Sequence, residues 1–413
     1  MFLIEKIKKT FLPFYRLSET KKILNILNSN SKKRAMLVGG CVRKYLSNEK
    51  IDDIDIATTL TPSEVISFFQ NTEIQVKKTG IEHGTLTLIL NNQKFEITTL
   101  RKDISTDGRH ANIKFSDNWE EDSNRRDFTI NAIYLDQKGK VFDPHLGVND
   151  LKNKKVKFIG DPNNRIKEDY LRILRFLRFS IEYKSFEINK QTQQAIKLNL
   201  DGITRLSKER VFSELEKIIK LKNFDDIIKS KFLLSIFNLI FPEIKYLDRI
   251  KRLKNLSTKH KVQIKKNIIF SILLLDSSNN HEYFFHKYNV SNTIKNEINL
   301  FFKVLKDIKL NKEFFLKNLK KNIFKYGKDN LKNLLLIESS ISKKNNNSSI
   351  KSIFEEIHNT NIPKFPLTGN DLINKGVKEG KKVGEILDRI EKKWIENDFK
   401  IKEEEIKILI QQN

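Results

Sequence analysis

The sequence has little of several things that each indicate a particular class of protein. Cys41 is its one cysteine in 413 residues, which excludes an internal disulfide and a cysteine-rich zinc site. Between Pro162 and Pro363 only Pro242 could interrupt a helix. No apolar run approaches the length of a membrane-spanning helix. These absences predict a globular chain, rich in uninterrupted helices, that does not enter a membrane.

Acidic residues are also in deficit. The chain has 52 Asp and Glu against 78 Lys and Arg, and its formal net charge is +26. The basic residues are spread over the whole length, so the folded surface should attract a polyanion, with RNA or DNA as the default partner. The start, Met1–Lys6, lacks the apolar core of a signal peptide. Together with the single cysteine, this predicts a cytoplasmic protein.

The pattern of apolar residues changes along the chain. Alternating, β-branched segments are confined to the first part, whereas apolar residues recur at helical spacing from Glu168 onward. Asn91-Asn92 predicts a hairpin turn between two of the strands. We therefore expect an α+β fold, with a small mixed sheet followed by an elongated all-α remainder. The predicted strands cover 36–38, 53–56, 85–90, 95–100 and 132–135.

A glycine turn followed by two carboxylates is the strongest local signal. Gly39 and Gly40 follow a short buried strand and would let the backbone approach a triphosphate, with Arg43 reaching a phosphate oxygen. Asp53 and Asp55 are two residues apart, so on a strand both carboxylates point to one face. Two hard oxygen ligands on one face suit Mg²⁺. An Asp-x-Asp pair or a glycine pair alone would indicate only a solvated strand or a turn.

In this order, the two signals resemble the first motif of class II nucleotidyltransferases, the family of tRNA CCA-adding enzymes and bacterial poly(A) polymerases. Lys44 departs from the family pattern, which usually has Asp after Val-Arg. That replacement changes a local charge and leaves the two predicted metal ligands intact. Glu96 matches the family's acidic position in a neighbouring strand, where it could help deprotonate an attacking hydroxyl; the alternative is an exposed strand glutamate.

The segment 125–132 matches the second motif of the family without a gap. Arg126 could pair with triphosphate oxygens in a forked geometry, and Asp127 could accept a hydrogen bond from a ribose hydroxyl. The alternative is a helix start that Asp127 caps while the arginines are solvated. The match favours nucleotide binding by both residues.

A third segment predicts a helix with one packed side and one charged side. The charged residues that share a face are Asp169, Arg172, Arg175 and Arg178. Cytosine and adenine both offer an amino group to Asp169 and a ring nitrogen to Arg172, whereas uracil and guanine would turn a carbonyl toward the carboxylate. The alternative is a set of salt bridges on an exposed helix. The family's corresponding motif implies base reading, with all four residues binding nucleotide.

The resemblance also implies a domain order and an activity. It implies a nucleotidyltransferase head at 1–155, a neck with the base-reading helix at 156–225, a body at 226–345 and a tRNA-binding tail at 346–413. The expected enzyme is a Mg²⁺-dependent transferase that adds C, C and A to the tRNA 3′ end from CTP and ATP without a template, contacting the 3′ end and acceptor arm. A poly(A) polymerase shares every head motif and remains an alternative, and a catalytically silent RNA-binding protein is a weaker one. The sequence leaves open a split system of C-adding and A-adding enzymes, and the oligomeric state.

Overall fold

The computed structural model describes residues 13–29, 34–106, 111–311, 313–342 and 347–411. It divides into two compact units. One runs to Pro242 and includes Lys287–Asn289; the other comprises Glu243–His286 and the chain from Val290 onward. The predicted division into head, neck, body and tail stays a prediction, and its last boundary, at 345–346, begins outside the described residues.

The described part of the first unit contains nine strands. In chain order they are β1 (Ala35–Val38), β2 (Ile54–Thr58), β3 (Gln75–Gly80), β4 (Thr85–Leu90), β5 (Gln93–Thr99), β6 (Arg101–Thr106), β7 (Ala111–Phe115), β8 (Tyr134–Leu135) and β9 (Val141–Phe142). Seven form one sheet in the order β3-β4-β5-β2-β1-β8-β9, while β6 and β7 form a separate antiparallel ribbon. The β2–β5 pair is parallel and the other pairs are antiparallel. The predicted mixed sheet is confirmed.

The strand predictions were right where the sequence alternates. Asn91 and Asn92 both have positive φ, of 49° and 62°, and they close the antiparallel β4–β5 hairpin as predicted. The strand expected at 132–135 is shorter, because a 3-10 turn at Thr129–Asn131 precedes it. β3 is largely exposed at the edge of the sheet, so it lacks the apolar alternation that would have predicted it.

The two faces of the sheet have different roles. Ile54, Ile56 and Phe95 belong to the main core, which also takes in the helix before β1. Met36 and Tyr134 belong to a second, small apolar cluster. Along the strands, its residues alternate with those of the main core. Because side chains alternate along a strand, residues between those of the main core face the second side. That second side carries the polar residues of the candidate site.

Helices account for most of the remaining described residues. Those whose residues lie in the first unit are α1 (Ser18–Leu27), α2 (Gly40–Leu46), α3 (Pro62–Phe69), α4 (Trp119–Asn124), α5 (Gly147–Lys152), α6 (Pro162–Glu168), α7 (Leu171–Glu182), α8 (Lys190–Leu198), α9 (Lys208–Ile219) and α10 (Lys231–Ile240). From Glu243 onward follow α11 (Asp248–His260), α12 (Lys266–Leu274), α13 (Asn280–Tyr288), α14 (Asn292–Leu310), α15 (Leu319–Tyr326), α16 (Lys328–Ile341), α17 (Asn347–Asn359), α18 (Gly369–Asn374), α19 (Lys381–Glu396) and α20 (Glu403–Gln411). The predicted α+β class is confirmed. Within the described ranges, no helix has both the length and the apolar character needed to cross a membrane.

The helices α6 and α7 position the charged residues of the third segment. α6 begins sharply because the Asp161 side chain accepts a hydrogen bond from the Asn164 backbone N–H at 2.9 Å and Pro162 is its first residue. α6 ends at Glu168, and α7 begins three residues later, at Leu171. α7 buries the apolar side chains of its packed side and contacts α9. The sharp break between α6 and α7 puts Asp169 outside both helices.

Candidate active site

Three carboxylates lie on or directly before two parallel strands. Asp53 is exposed and directly precedes β2, Asp55 is half-buried within β2, and Glu96 pairs with Asp55 across the β2–β5 register. Ile54 and Ile56 are buried in the main core, so the alternation predicted from the sequence holds along β2. The side chains of Asp55 and Glu96 therefore face the same, second side of the sheet.

The glycine turn contacts the same carboxylate. Gly39 has a φ of 71°, a conformation that side chains rarely tolerate. A Cβ on Gly39 would lie 3.8 Å from the Asp55 Oδ2 and 3.7 Å from the Arg126 Nη1, and one on Gly40 would lie 3.9 Å from that Oδ2. The two glycines thus bring the backbone at the start of α2 against Asp55 and Arg126, which are both predicted site residues.

The charge balance at Asp55 favours a bound cation. The pKa of Asp55 is raised from 3.8 to about 6. Burial is the largest cause, the negative charges of Glu96 and then Asp53 add to it, and Arg126 and Arg43 oppose the change. A cation at the carboxylate would relieve this penalty. In the described part of the chain, no group of three or more His, Cys, Asp and Glu is arranged to hold a metal ion. The predicted Asp53 and Asp55 pair would leave other positions of a Mg²⁺ ion for substrate oxygens, and metal binding by this pair stays a prediction.

Arg126 is fixed by a buried partner that the sequence interpretation missed. Its Nη2 donates to the Asp122 Oδ2 at 3.0 Å, and its Nε donates to the same oxygen at 3.2 Å and to the Tyr134 hydroxyl at 3.1 Å. Burial opposes ionisation of Asp122, but Arg126 and Arg125 outweigh it and hold the pKa of Asp122 at about 2. Asp122, on α4, is four residues before Arg126, which lies just beyond the end of that helix. This spacing could have identified the pair.

Asp127 is engaged within the protein. Its Oδ2 accepts from the Arg175 Nη2 at 2.6 Å and Nε at 2.7 Å, and its Oδ1 accepts from the Asn131 side-chain nitrogen at 2.8 Å and from the Phe128 backbone N–H at 2.9 Å. Burial opposes ionisation, but Arg175 and Asn131 together hold the pKa of Asp127 at about 2. The carboxylate therefore links the second motif to α7. Acceptance from a ribose hydroxyl stays a prediction, and it would require an exchange of one of these partners.

Arg43 also contacts α7 and the residue that follows it. Its Nε donates to the Tyr183 hydroxyl at 2.8 Å, its Nη1 donates to the Asn131 side-chain oxygen, and its guanidinium lies 4.6 Å from the centre of the Phe179 ring. The side chain is 6% exposed. These contacts place Arg43 between the glycine turn and α7, and its predicted contact with a phosphate oxygen stays a prediction.

The four charged residues predicted to share one face have four different partners. Asp169 accepts from the Arg210 Nη2 at 2.8 Å, and Arg172 donates to the Glu168 Oε2 at 2.8 Å. Arg175 pairs with Asp127, and Arg178 donates from its Nε to the Glu214 Oε2 at 2.8 Å. The exposed-helix alternative does not describe them, since most of their ion pairs join separate elements. Base reading by this set stays a prediction, as does nucleotide binding by Gly40.

The charge that departs from the family pattern has a local partner. The Lys44 Nζ lies 3.2 Å from the Asp52 Oδ2. Lys44 belongs to α2, and Asp52 directly precedes Asp53. Lys44 therefore forms an ion pair between α2 and the segment that directly precedes β2.

Three family descriptions match successive parts of the chain. They are "Poly A polymerase head domain" over residues 35–157, "Probable RNA and SrmB- binding site of polymerase A" over 185–247 and "tRNA nucleotidyltransferase domain 2 putative" over 261–409. Together the three matches cover most of the chain. The predicted resemblance is confirmed.

Relatives of known name match over nearly the whole length. The chain is 33% identical to the human mitochondrial CCA tRNA nucleotidyltransferase 1, over 90% of this chain and 85% of that protein. It is 32% identical to the CCA-adding enzyme of Staphylococcus haemolyticus, over 86% of this chain and 88% of that protein.

Solved structures share the fold. The Bacillus stearothermophilus CCA-adding enzyme in complex with CTP superposes with a TM-score of 0.73 at 23% identity, covering 95% of this chain and 96% of that one. The Thermotoga maritima enzyme complexed with tRNA gives 0.61 at 21% identity, with 96% of each chain covered. With its sheet, its glycine turn, its carboxylate pair and its full-length relatives, the chain belongs to the family of CCA tRNA nucleotidyltransferases, the CCA-adding enzymes.

Proposed function

We propose that this chain adds C, C and A to the 3′ end of tRNA, with CTP and ATP as substrates and no nucleic-acid template. The observation that carries the proposal is the position of Asp55. It lies beside the glycine turn and Arg126, opposite Glu96 on the neighbouring strand. This is where a triphosphate held by the turn would meet carboxylates able to bind a metal ion.

The three carboxylates and Arg126 each have a part in the proposed reaction. The tRNA 3′ hydroxyl would attack the α-phosphorus, and pyrophosphate would leave. Mg²⁺ bound to Asp53 and Asp55 would supply the positive charge that activates this hydroxyl and stabilises the leaving group. Glu96 would help remove the proton of the hydroxyl, and Arg126, held in place by Asp122, would present a guanidinium nitrogen to the triphosphate.

Nucleotide choice would belong to the segment between α6 and α7. We propose that Asp169 and Arg172 read the base edge and that Asp127, Arg175 and Arg178 hold the nucleotide and the helix in position. In the free protein Asp169 and Arg172 are paired with Arg210 and Glu168. Base binding would therefore exchange internal ion pairs for contacts with cytosine or adenine, and a base that cannot replace them would leave a partly buried charge unpaired.

Poly(A) polymerase remains a second candidate, because the head matches a poly(A) polymerase description. The match over 261–409 is instead to a tRNA nucleotidyltransferase domain, which favours tRNA as the substrate.

We also propose that the reaction takes place in the cytoplasm, where bacterial relatives would meet tRNA and where the single, buried Cys41 would stay reduced.

Stepwise incorporation tests the proposal. A tRNA that ends before its CCA sequence is incubated with one nucleotide at a time, and the product ends are sequenced. We expect two C residues with CTP, one A after CTP has acted, and no incorporation of U or G. Addition of A before C, or incorporation of all four nucleotides, would contradict the proposed function.

A further inference from the structure

Arg165 contacts two parts of the candidate site: the second motif, at 125–132, and Glu168, which precedes Asp169. It is in the last turn of α6, and its side chain is 12% exposed. Its Nη2 donates at 2.6 Å to two backbone carbonyl oxygens, those of Arg125 and Arg126. Its Nη1 donates at 2.6 Å to the Glu168 Oε2. One guanidinium thus joins the backbone of the triphosphate-binding segment to the segment that precedes α7.

The same contacts continue to Arg172. The Arg172 Nη1 donates to the Glu168 Oε2 at 2.8 Å and to the backbone carbonyl oxygen of Arg165 at 2.9 Å. Arg165, Glu168 and Arg172 therefore form a closed set of hydrogen bonds. A movement of Arg172 toward a base must be accommodated by Glu168, and Glu168 is held by Arg165.

The position of Arg165 is electrostatically unfavourable. Burial lowers the pKa of Arg165 below its ordinary value and the neighbouring positive charge of Arg172 lowers it further, and the paired Glu168 carboxylate only partly opposes this change. The Arg165 Nε is buried and has no hydrogen-bond partner among the residues described. A largely buried cation with a like charge beside it and an unsatisfied donor contributes little to the free energy of unfolding. We therefore attribute the contacts of Arg165 to the connection they make between the Arg125–Arg126 backbone and Glu168.

We propose that Arg165 is a positioning residue that couples base reading to the placement of the triphosphate. This inference rests on the proposed function. When the base fits Asp169 and Arg172, the Arg165 link holds the backbone of Arg126, so that the α-phosphorus lies in line for attack. Because reaction rates fall steeply with small misplacements, a loose link would cost the correct nucleotide more than the incorrect one.

The variant that tests this is Arg165→Lys, which keeps the charge but cannot donate from two nitrogens of a planar fork to separate partners. Its matched control is Arg249→Lys. The Arg249 Nη1 also donates to two backbone carbonyl oxygens, those of Ile272 at 2.9 Å and Leu275 at 2.8 Å, but it lies in the other unit. Both substitutions remove the same kind of contact, so a difference in nucleotide selectivity reports the location of Arg165.

Single-nucleotide kinetics on a tRNA lacking CCA provide the readout. We expect Arg165→Lys to lower the ratio of kcat/KM for CTP to that for UTP by about tenfold, mostly through kcat for CTP. In an Arg172→Ala background, we expect the same substitution to have no further effect on the ratio, because the link would then end at a missing residue. Arg249→Lys should leave the ratio unchanged.

Several results would overturn the proposal. They are an unchanged ratio in Arg165→Lys, an equal change in Arg249→Lys, and a full additional loss in the Arg172→Ala background. Thermal melting of each variant separates selectivity from folding, and a lower melting temperature with an unchanged ratio also overturns the coupling. The wild-type chain distinguishes the two levels: if it incorporates neither C nor A, the proposed function fails and the coupling with it, whereas normal wild-type incorporation confines a failure to Arg165.

Discussion

Replacement of Asp55 by asparagine should stabilise the metal-free protein at neutral pH, although it should abolish activity. The pKa of Asp55 is raised from 3.8 to about 6, first by burial and then by Glu96. A group whose pKa is raised on folding favours the folded state only while it is protonated. The resulting penalty is absent below pH 3.8, grows as the pH rises to about 6 and is constant above that.

The size of the effect follows from the two pKa values. At about 1.4 kcal/mol for each pH unit between 3.8 and about 6, the ionised carboxylate costs about 3 kcal/mol. Asparagine has nearly the same shape and carries no charge. We therefore expect Asp55→Asn to gain about 2 to 3 kcal/mol of unfolding free energy at pH 7.5 and almost nothing near pH 4.

Urea titration in EDTA measures this difference. The chain has two tryptophans, and Trp119 lies edge-on to Tyr134 in the first unit while Trp394 lies in the second. A Trp394→Phe background therefore makes fluorescence report the unit that carries Asp55. Asp53→Asn is the matched control, since Asp53 is exposed. Equal or lower stability of Asp55→Asn at pH 7.5, or a gain that does not depend on pH, would refute the electrostatic account of the site.

Three further outcomes are expected. Asp53→Ala and Asp55→Ala should each abolish nucleotide incorporation while tRNA binding, measured by filter retention, stays near that of the wild type; near-normal turnover of both in Mg²⁺ buffer would refute the metal site. Asp169→Ala should relax discrimination against UTP and GTP more than it lowers total turnover, and an unchanged ratio of UTP to CTP use would return that carboxylate to a purely structural ion pair. Cys41 should resist thiol reagents in the native protein, because burial, with a smaller contribution from Asp55, raises the pKa of its thiol to about 12; rapid labelling of the folded chain at pH 8 would show that the α2 region opens.

Local patterns in the sequence predicted the elements that carry the site. The alternation of Asp53, Ile54, Asp55 and Ile56 predicted which side chains enter the core, because period-two patterning depends only on neighbouring residues. The turn at Asn91-Asn92 was predicted for the same reason. These signals need no knowledge of distant contacts, and the structure agrees with them.

Partners that are far apart in the sequence could not be predicted. Asp127 and Arg175 are separated by 48 positions, and Arg43 and Tyr183 by 140. Asp127, Arg175 and Arg43 were predicted to bind nucleotide and Tyr183 was not, and nothing in their local sequence patterns shows that these residues are paired within the protein. Such pairings depend on how α7 packs against Phe128 and its neighbours, and that arrangement is decided by the whole apolar core.

Product length on a defined tRNA tests the central claim most directly. A tRNA that already ends in CC is incubated with ATP alone, beside an unstructured RNA of equal length, and the products are resolved to single nucleotides. We expect one added A on the tRNA followed by arrest, and little extension of the unstructured RNA, because a CCA-adding site closes around an end of fixed size. A ladder of many A residues on the tRNA, or equal extension of both RNAs, would contradict CCA addition and identify the activity as poly(A) synthesis.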